Sequence, residues 1–178
     1  MLNDEQRRQL LDIARCAVTA RVAGTRMASS PAVGFPEASG VFVTVKIDGQ
    51  LRGCLGTLDR VRDLPADVAR CAANAASEDP RFPAITAGEL ARLAIDVSVL
   101  GPVERIDPQQ DDAIAIGEHG LVVEHGERRG LLLPQVAIEW GWTRERFLCQ
   151  TCVKAGLPPD AWQQGAIVYR FAAEVFGD

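Results

Sequence analysis

The chain predicts an α+β fold, a mostly antiparallel sheet flanked by helices, and three observations carry that prediction. Two stretches read as hairpins: 41–47 with 51–58 around Asp48-Gly49, and 121–124 with 130–133 around His125-Gly126-Glu127-Arg128. Helical periodicity lies between and beside the hairpins. No regular strand–helix–strand alternation, the pattern a parallel sheet needs, links them.

The first element is a helix. Asn3 and Gln6 form a capping box in which each side chain takes the other's backbone N–H. Leu10, Ala14, Ala17 and Val18 recur at helical spacing, and Gly24 supplies the stop. Residues 25–40 hold Pro31, Gly34, Pro36 and Gly40 and read as an irregular connection. Val41, Val43, Val45 and Ile47 then alternate with Phe42, Thr44 and Lys46, the period of a half-buried strand. Asp48-Gly49 tolerates positive φ at both positions and turns the chain into a second strand.

Asp63 caps a helix over 64–77, with Pro65 in its first turn. The alanines of this helix (Ala66, Ala69, Ala72, Ala73, Ala75 and Ala76) permit close approach to a sheet, and Asp79-Pro80 ends it. Thr86 and Glu89 make a second capping box for a short helix. Leu93, Ile95, Val97 and Val99 alternate as another strand. After the second hairpin Pro134 starts a helix to about Trp140, and Thr143 caps one that runs to Ala155 and stops at Gly156. Residues 167–175 form a closing strand.

With 178 residues, 47% hydrophobic and 24% charged, the chain can bury a core without metals or disulfides and does not have the composition of a disordered segment. The net charge of −5 counts against a nucleic-acid partner. The N-terminus is polar, and no apolar run approaches the roughly 18–20 residues of a membrane span. A cytoplasmic location and no membrane partner are therefore expected. Five cysteines, an odd number, read as reduced thiols. There is no phosphate loop, dinucleotide fingerprint, nucleophile-elbow serine or HExxH, so no cofactor is assigned.

The most unusual stretch is Leu51-Arg52-Gly53-Cys54-Leu55-Gly56-Thr57. Glycines within a strand mark bulges or close backbone approaches. Bracketing Cys54, they would expose its sulfur and leave backbone N–H groups to face a ligand. Arg52, on the same face of an extended chain, would favour the thiolate, the nucleophilic form. The alternative is a buried structural cysteine.

Hairpin register separates these readings. A two-residue Asp48-Gly49 loop sets Val43 opposite Cys54 and Val45 opposite Arg52, placing the thiol on the valine face. A loop that includes Gln50 pairs Val43 with Leu55 and Val45 with Gly53, placing Cys54 and Arg52 with Thr44 and Lys46. The second gives each face a consistent polarity and is preferred.

Other motifs are weaker. Cys149-Gln150-Thr151-Cys152 is a lone CxxC, for which core packing of Cys152 outweighs a redox or zinc role. His119 and His125 flank an apolar strand; either could serve Cys54 as a base, and a turn or surface role is the default. Asp79-Pro80-Arg81-Phe82-Pro83 forms a stiff turn presenting Arg81, to clamp an anion or, as composition favours, to pair with a carboxylate.

At these residues the chain resembles the AmmeMemoRadiSam system protein A family, which carries the AMMECR-type domain. The resemblance rests on the Arg-Gly-Cys run, on Asp79–Pro83 with Glu89-Leu90, and on Val97-Ser98-Val99-Leu100. It continues through Gly117-Glu118-His119-Gly120-Leu121 and Gly130-Leu131-Leu132-Leu133-Pro134-Gln135-Val136, then from Phe147-Leu148 to Lys154-Ala155-Gly156-Leu157-Pro158. These blocks fall in family order over most of the chain. Leu55 replaces the family's usual isoleucine, a volume-conserving exchange.

The resemblance implies one domain over 1–178 with a larger and a smaller lobe and a cleft near the motif. It also implies the company of a Memo-like protein and a radical S-adenosylmethionine enzyme. The candidate residues are Cys54 and Arg52 for chemistry, and Gly53, Gly56, Thr57, Arg81 and His119 for binding a small molecule. A non-catalytic binding module is the competing expectation, and RNA modification or regulation a weaker one.

Overall fold

The computed structural model describes residues 2–27, 34–58 and 63–177. In chain order its elements begin with α1 (Asp4–Ala23), β1 (Gly40–Ile47), β2 (Gln50–Thr57), α2 (Leu64–Ser77) and a 3₁₀ turn (Ala87–Arg92). They continue with β3 (Leu93–Ile106), β4 (His119–His125), β5 (Arg128–Leu132), α3 (Pro134–Glu139), α4 (Arg144–Lys154), a second 3₁₀ turn (Ala161–Gln163) and β6 (Ile167–Gly177). The strands follow the order β2-β1-β3-β6-β4-β5, and β1–β2, β4–β5 and β4–β6 pair antiparallel. The fold is α+β, as the hairpins predict. The central part of the 25–40 connection, residues 28–33, lies outside the described residues.

The chain forms two compact units, one of Met1–Val99 with Glu174–Asp178 and one of Leu100–Ala173. In the first, α1 begins at the expected capping box and ends at Gly24 in the left-handed region, φ 67°. Its buried residues are Leu10, Ala14, Ala17 and Val18. They share one core with the alternating face of β1, where Val41, Val43, Val45 and Ile47 are buried, and with the alanine-rich face of α2, including Ala72, Ala75 and Ala76. Each fully buried valine or leucine contributes about 1.5–3 kcal/mol by leaving water.

In the second unit β4 lies between β5 and β6; Leu121 and Val123 face the core of this unit, and Val122 between them is buried as well. Phe147, Leu148 and Cys152 of α4 pack into the core of this unit with Trp162 and Val168. Gly130 lets α4 come close to β5: a Cβ there would sit 2.3 Å from the backbone nitrogen of Ala155.

Candidate functional site

The site begins with the first hairpin. Asp48 and Gly49 both have positive φ, 52° and 77°, and Ile47 pairs with Gln50, so the turn has two residues. That corrects the expected three-residue loop. The pairing at the motif is nevertheless the preferred one, with Val43 opposite Leu55, Thr44 opposite Cys54 and Val45 opposite Gly53. A register shift between Val45 and Lys46 reconciles the two, leaving Arg52 as the extra residue of a bulge. Cys54 therefore shares a face with Thr44, away from the buried valines.

Cys54 is half-buried, and its Sγ accepts a hydrogen bond from the Thr44 hydroxyl at 3.2 Å. β2 is an edge strand, whose outward N–H groups need partners from outside the sheet. The Cys54 N–H donates to Asp79 Oδ2 at 2.9 Å. Asp79 follows α2 and is only 4% exposed. It also accepts from the Arg81 backbone N–H at 3.1 Å, from Arg81 Nε at 2.9 Å and from Arg81 Nη2 at 2.7 Å. A buried carboxylate is tolerated when its charge and lone pairs are satisfied in this way. The Arg81 hydrogen bonds, with that from the Cys54 N–H, hold the Asp79 carboxyl far below the usual carboxylate range against the opposing effect of burial.

Arg81 is paired with a carboxylate, as composition favours, yet its side chain remains 51% exposed and its guanidinium lies 5.3 Å above the Phe82 ring. Arg52 is engaged elsewhere. It binds both oxygens of Glu89, at 2.9 and 3.2 Å, and the Pro83 carbonyl at 2.9 Å. Arg52, with the Thr86 N–H and hydroxyl, pulls Glu89 down to about 2. The Arg52 charge is thus matched by a carboxylate.

Both motif glycines have packing reasons. A Cβ on Gly53 would stand 1.9 Å from the Ala75 carbonyl oxygen, and one on Gly56 would stand 2.3 Å from the Val41 carbonyl oxygen and 2.4 Å from the Phe42 ring. They allow close approach within the protein. Thr57 ends β2 opposite Val41. His119 opens β4 in the second unit, where its Nδ1 accepts from the Ala115 N–H at 3.0 Å.

The structure therefore gathers Cys54 and Arg81 around Asp79, joins Arg52 to Glu89, and sets Gly53 against Ala75. Two participants, Asp79 and Glu89, were not candidates from sequence. The turn motif and the capping box named both residues, but for local roles. Thr44 was legible through the register. Among the described residues no cluster of three or more metal-ligating side chains occurs, and Cys149 and Cys152 are free thiols with Cys152 in the core. No described helix is long and apolar enough to cross a membrane.

These features define an α+β protein with a cysteine on an edge strand, tied through its own amide to a buried carboxylate–arginine pair. The chain belongs to the AMMECR1 family, whose model matches residues 11–176. A protein of Methanothermobacter thermautotrophicus is 43% identical over 183 residues, covering 98% of this chain and 95% of that protein. Protein MJ0810 of Methanocaldococcus jannaschii is 41% identical over 172 residues, covering 92% of this chain and 85% of that protein. The crystal structure of the uncharacterized protein PH0010 from Pyrococcus horikoshii is similar to this chain with a TM-score of 0.87 and 39% identity, covering 99% of this chain and 93% of its own.

Proposed function

We propose that Cys54 is the reactive thiol of a small-molecule site, and that the protein acts in the cytoplasm beside a Memo-like protein and a radical S-adenosylmethionine enzyme. The observation that carries the first part is the seating of the sulfur: half-buried, with the Thr44 hydroxyl donating to it. A donor on the sulfur favours thiolate over thiol. The thiol proton leaves to solvent, and the sulfur attacks an electrophilic carbon. A C–S bond forms while the bond to the leaving group breaks, its electron pair departing with that group.

The half-exposed Arg81 draws a carboxylate or phosphate on the substrate toward the site. Cys54 cannot offer its own N–H to a developing oxyanion, because Asp79 takes it. Family membership supports the partner assignment through the resemblance noted above.

Brief alkylation with iodoacetamide at neutral pH, read by mass spectrometry, tests the thiol reading, with exposed Cys16 as the internal reference. Cys54 is expected to react faster than Cys16; an equal or slower rate overturns the assignment. A second reading, a docking module, draws on Ile138 and Trp140 in the second unit, which are 61% and 70% exposed. It predicts that pull-down of the two partner proteins survives Cys54→Ser and fails on Trp140→Ala.

A further inference from the structure

We infer that Asp79 is a positioning residue for the Cys54 site, and that Arg81, held by Asp79, is a cation to which the Cys54 thiolate responds. The inference rests on the reading of Cys54 as a reactive thiol and adds the means by which its charge is controlled. One carboxylate oxygen, Oδ2, receives both the Cys54 N–H at 2.9 Å and Arg81 Nη2 at 2.7 Å. Those two nitrogens can be no farther apart than these two hydrogen bonds laid end to end. The other oxygen takes the Arg81 backbone N–H and Nε, so the guanidinium is gripped along one edge and its direction is set.

Asp79 is itself buried and Phe82 lies under the guanidinium, which leaves the arrangement little freedom. A negative Cys54 adds to the forces keeping Arg81 protonated, after those from Asp79 itself, and the coupling is reciprocal: Arg81 favours the thiolate. Arg52 is held by Glu89, and Lys46 of β1 by Asp96 of β3. Cys71 of α2, which also senses Cys54, is pushed up to about 11, chiefly by burial, and is uncharged at neutral pH.

The test is the pH profile of Cys54 alkylation by iodoacetamide in the full chain, with Arg81→Gln and Asp79→Asn made singly and together. A neighbouring cation lowers a thiol pKa by about one unit or more, so Arg81→Gln should slow alkylation near neutrality about tenfold and raise the inflection correspondingly. In the Asp79→Asn background the further loss of Arg81 should change the rate less than about twofold, because an unanchored guanidinium is no longer held beside Cys54. Arg81→Lys, which keeps the charge but cannot span both carboxylate oxygens, should behave like Arg81→Gln.

The inference is overturned if Arg81→Gln leaves the inflection in place, or if its effect is as large without Asp79 as with it. Should Asp79→Asn fail to fold, Arg81→Lys decides alone: a profile like that of the unmodified chain overturns the inference. Slow alkylation of Cys54 relative to Cys16 in the unmodified chain would overturn the reactive-thiol reading instead. The inflection reports on Arg81 whatever the absolute rate.

Discussion

Cys54 shows how much one backbone donor can decide. Its N–H faces out from an edge strand, and the group that meets it is a buried carboxylate instead of solvent or ligand. The sulfur has a separate partner in Thr44. A hydrogen bond to a charged group contributes about 1.5–3 kcal/mol, so Thr44→Val should slow Cys54 alkylation at neutral pH by about tenfold while the melting temperature moves little. The glycine beside Cys54 makes a sharper structural prediction. Gly53→Ala drives a Cβ into the Ala75 carbonyl and should cost about 3 kcal/mol, read as a lower urea midpoint. Gly88→Ala, where a Cβ meets nothing within 4 Å, should be close to neutral in the same assay.

At the scale of elements, the bulge in β2 is what gives Arg52 and Cys54 different partners. It sends Arg52 to Glu89 in the 3₁₀ turn, and Glu89 at the same time closes the capping box on Thr86. This joins an edge strand to the element that leads into β3. Glu89 titrates near 2 in the fold, against about 4.5 for an ordinary glutamate. A depressed carboxylate contributes stability above its unfolded pKa and loses that contribution as pH falls through the folded one. The urea midpoint should therefore decline between about pH 5 and pH 2. Glu89→Gln should reduce the slope without abolishing it, since Asp79 is depressed as well. An unchanged slope in the variant would remove Glu89 from this account.

At the scale of the whole molecule the described residues form two cores, one in each compact unit. The cysteines are distributed across them by environment. Cys16 is exposed, Cys54 and Cys149 are half-buried, and Cys71 and Cys152 are buried with their thiols raised chiefly by desolvation. Titration of the native protein with an aromatic disulfide should consume Cys16, Cys54 and Cys149 and spare Cys71 and Cys152 until guanidinium is added. Early reaction of Cys152 would contradict its place in the second core. Phe147, fully buried there, should cost about 3–5 kcal/mol on change to alanine, measured as a lower melting temperature.

The sequence by itself determined those features whose causes are local. The capping boxes at Asn3 and Thr86, the stop at Gly24, the valine alternation of β1 and the Asp48-Gly49 turn all act within a few residues, and each is found where its chemistry puts it. The α+β class follows from counting such elements, and the face on which Cys54 lies follows from polarity on the two strands. Only the tertiary structure decided what the functional residues touch. Asp79 lies 25 positions from Cys54 and Glu89 lies 37 from Arg52. No periodicity relates such pairs, which are set by where α2 ends against the edge of β2. The glycines that suggested an open sulfur instead accommodate Ala75 and Phe42. A missing side chain has the same appearance in sequence whether a ligand or a neighbouring backbone fills its place.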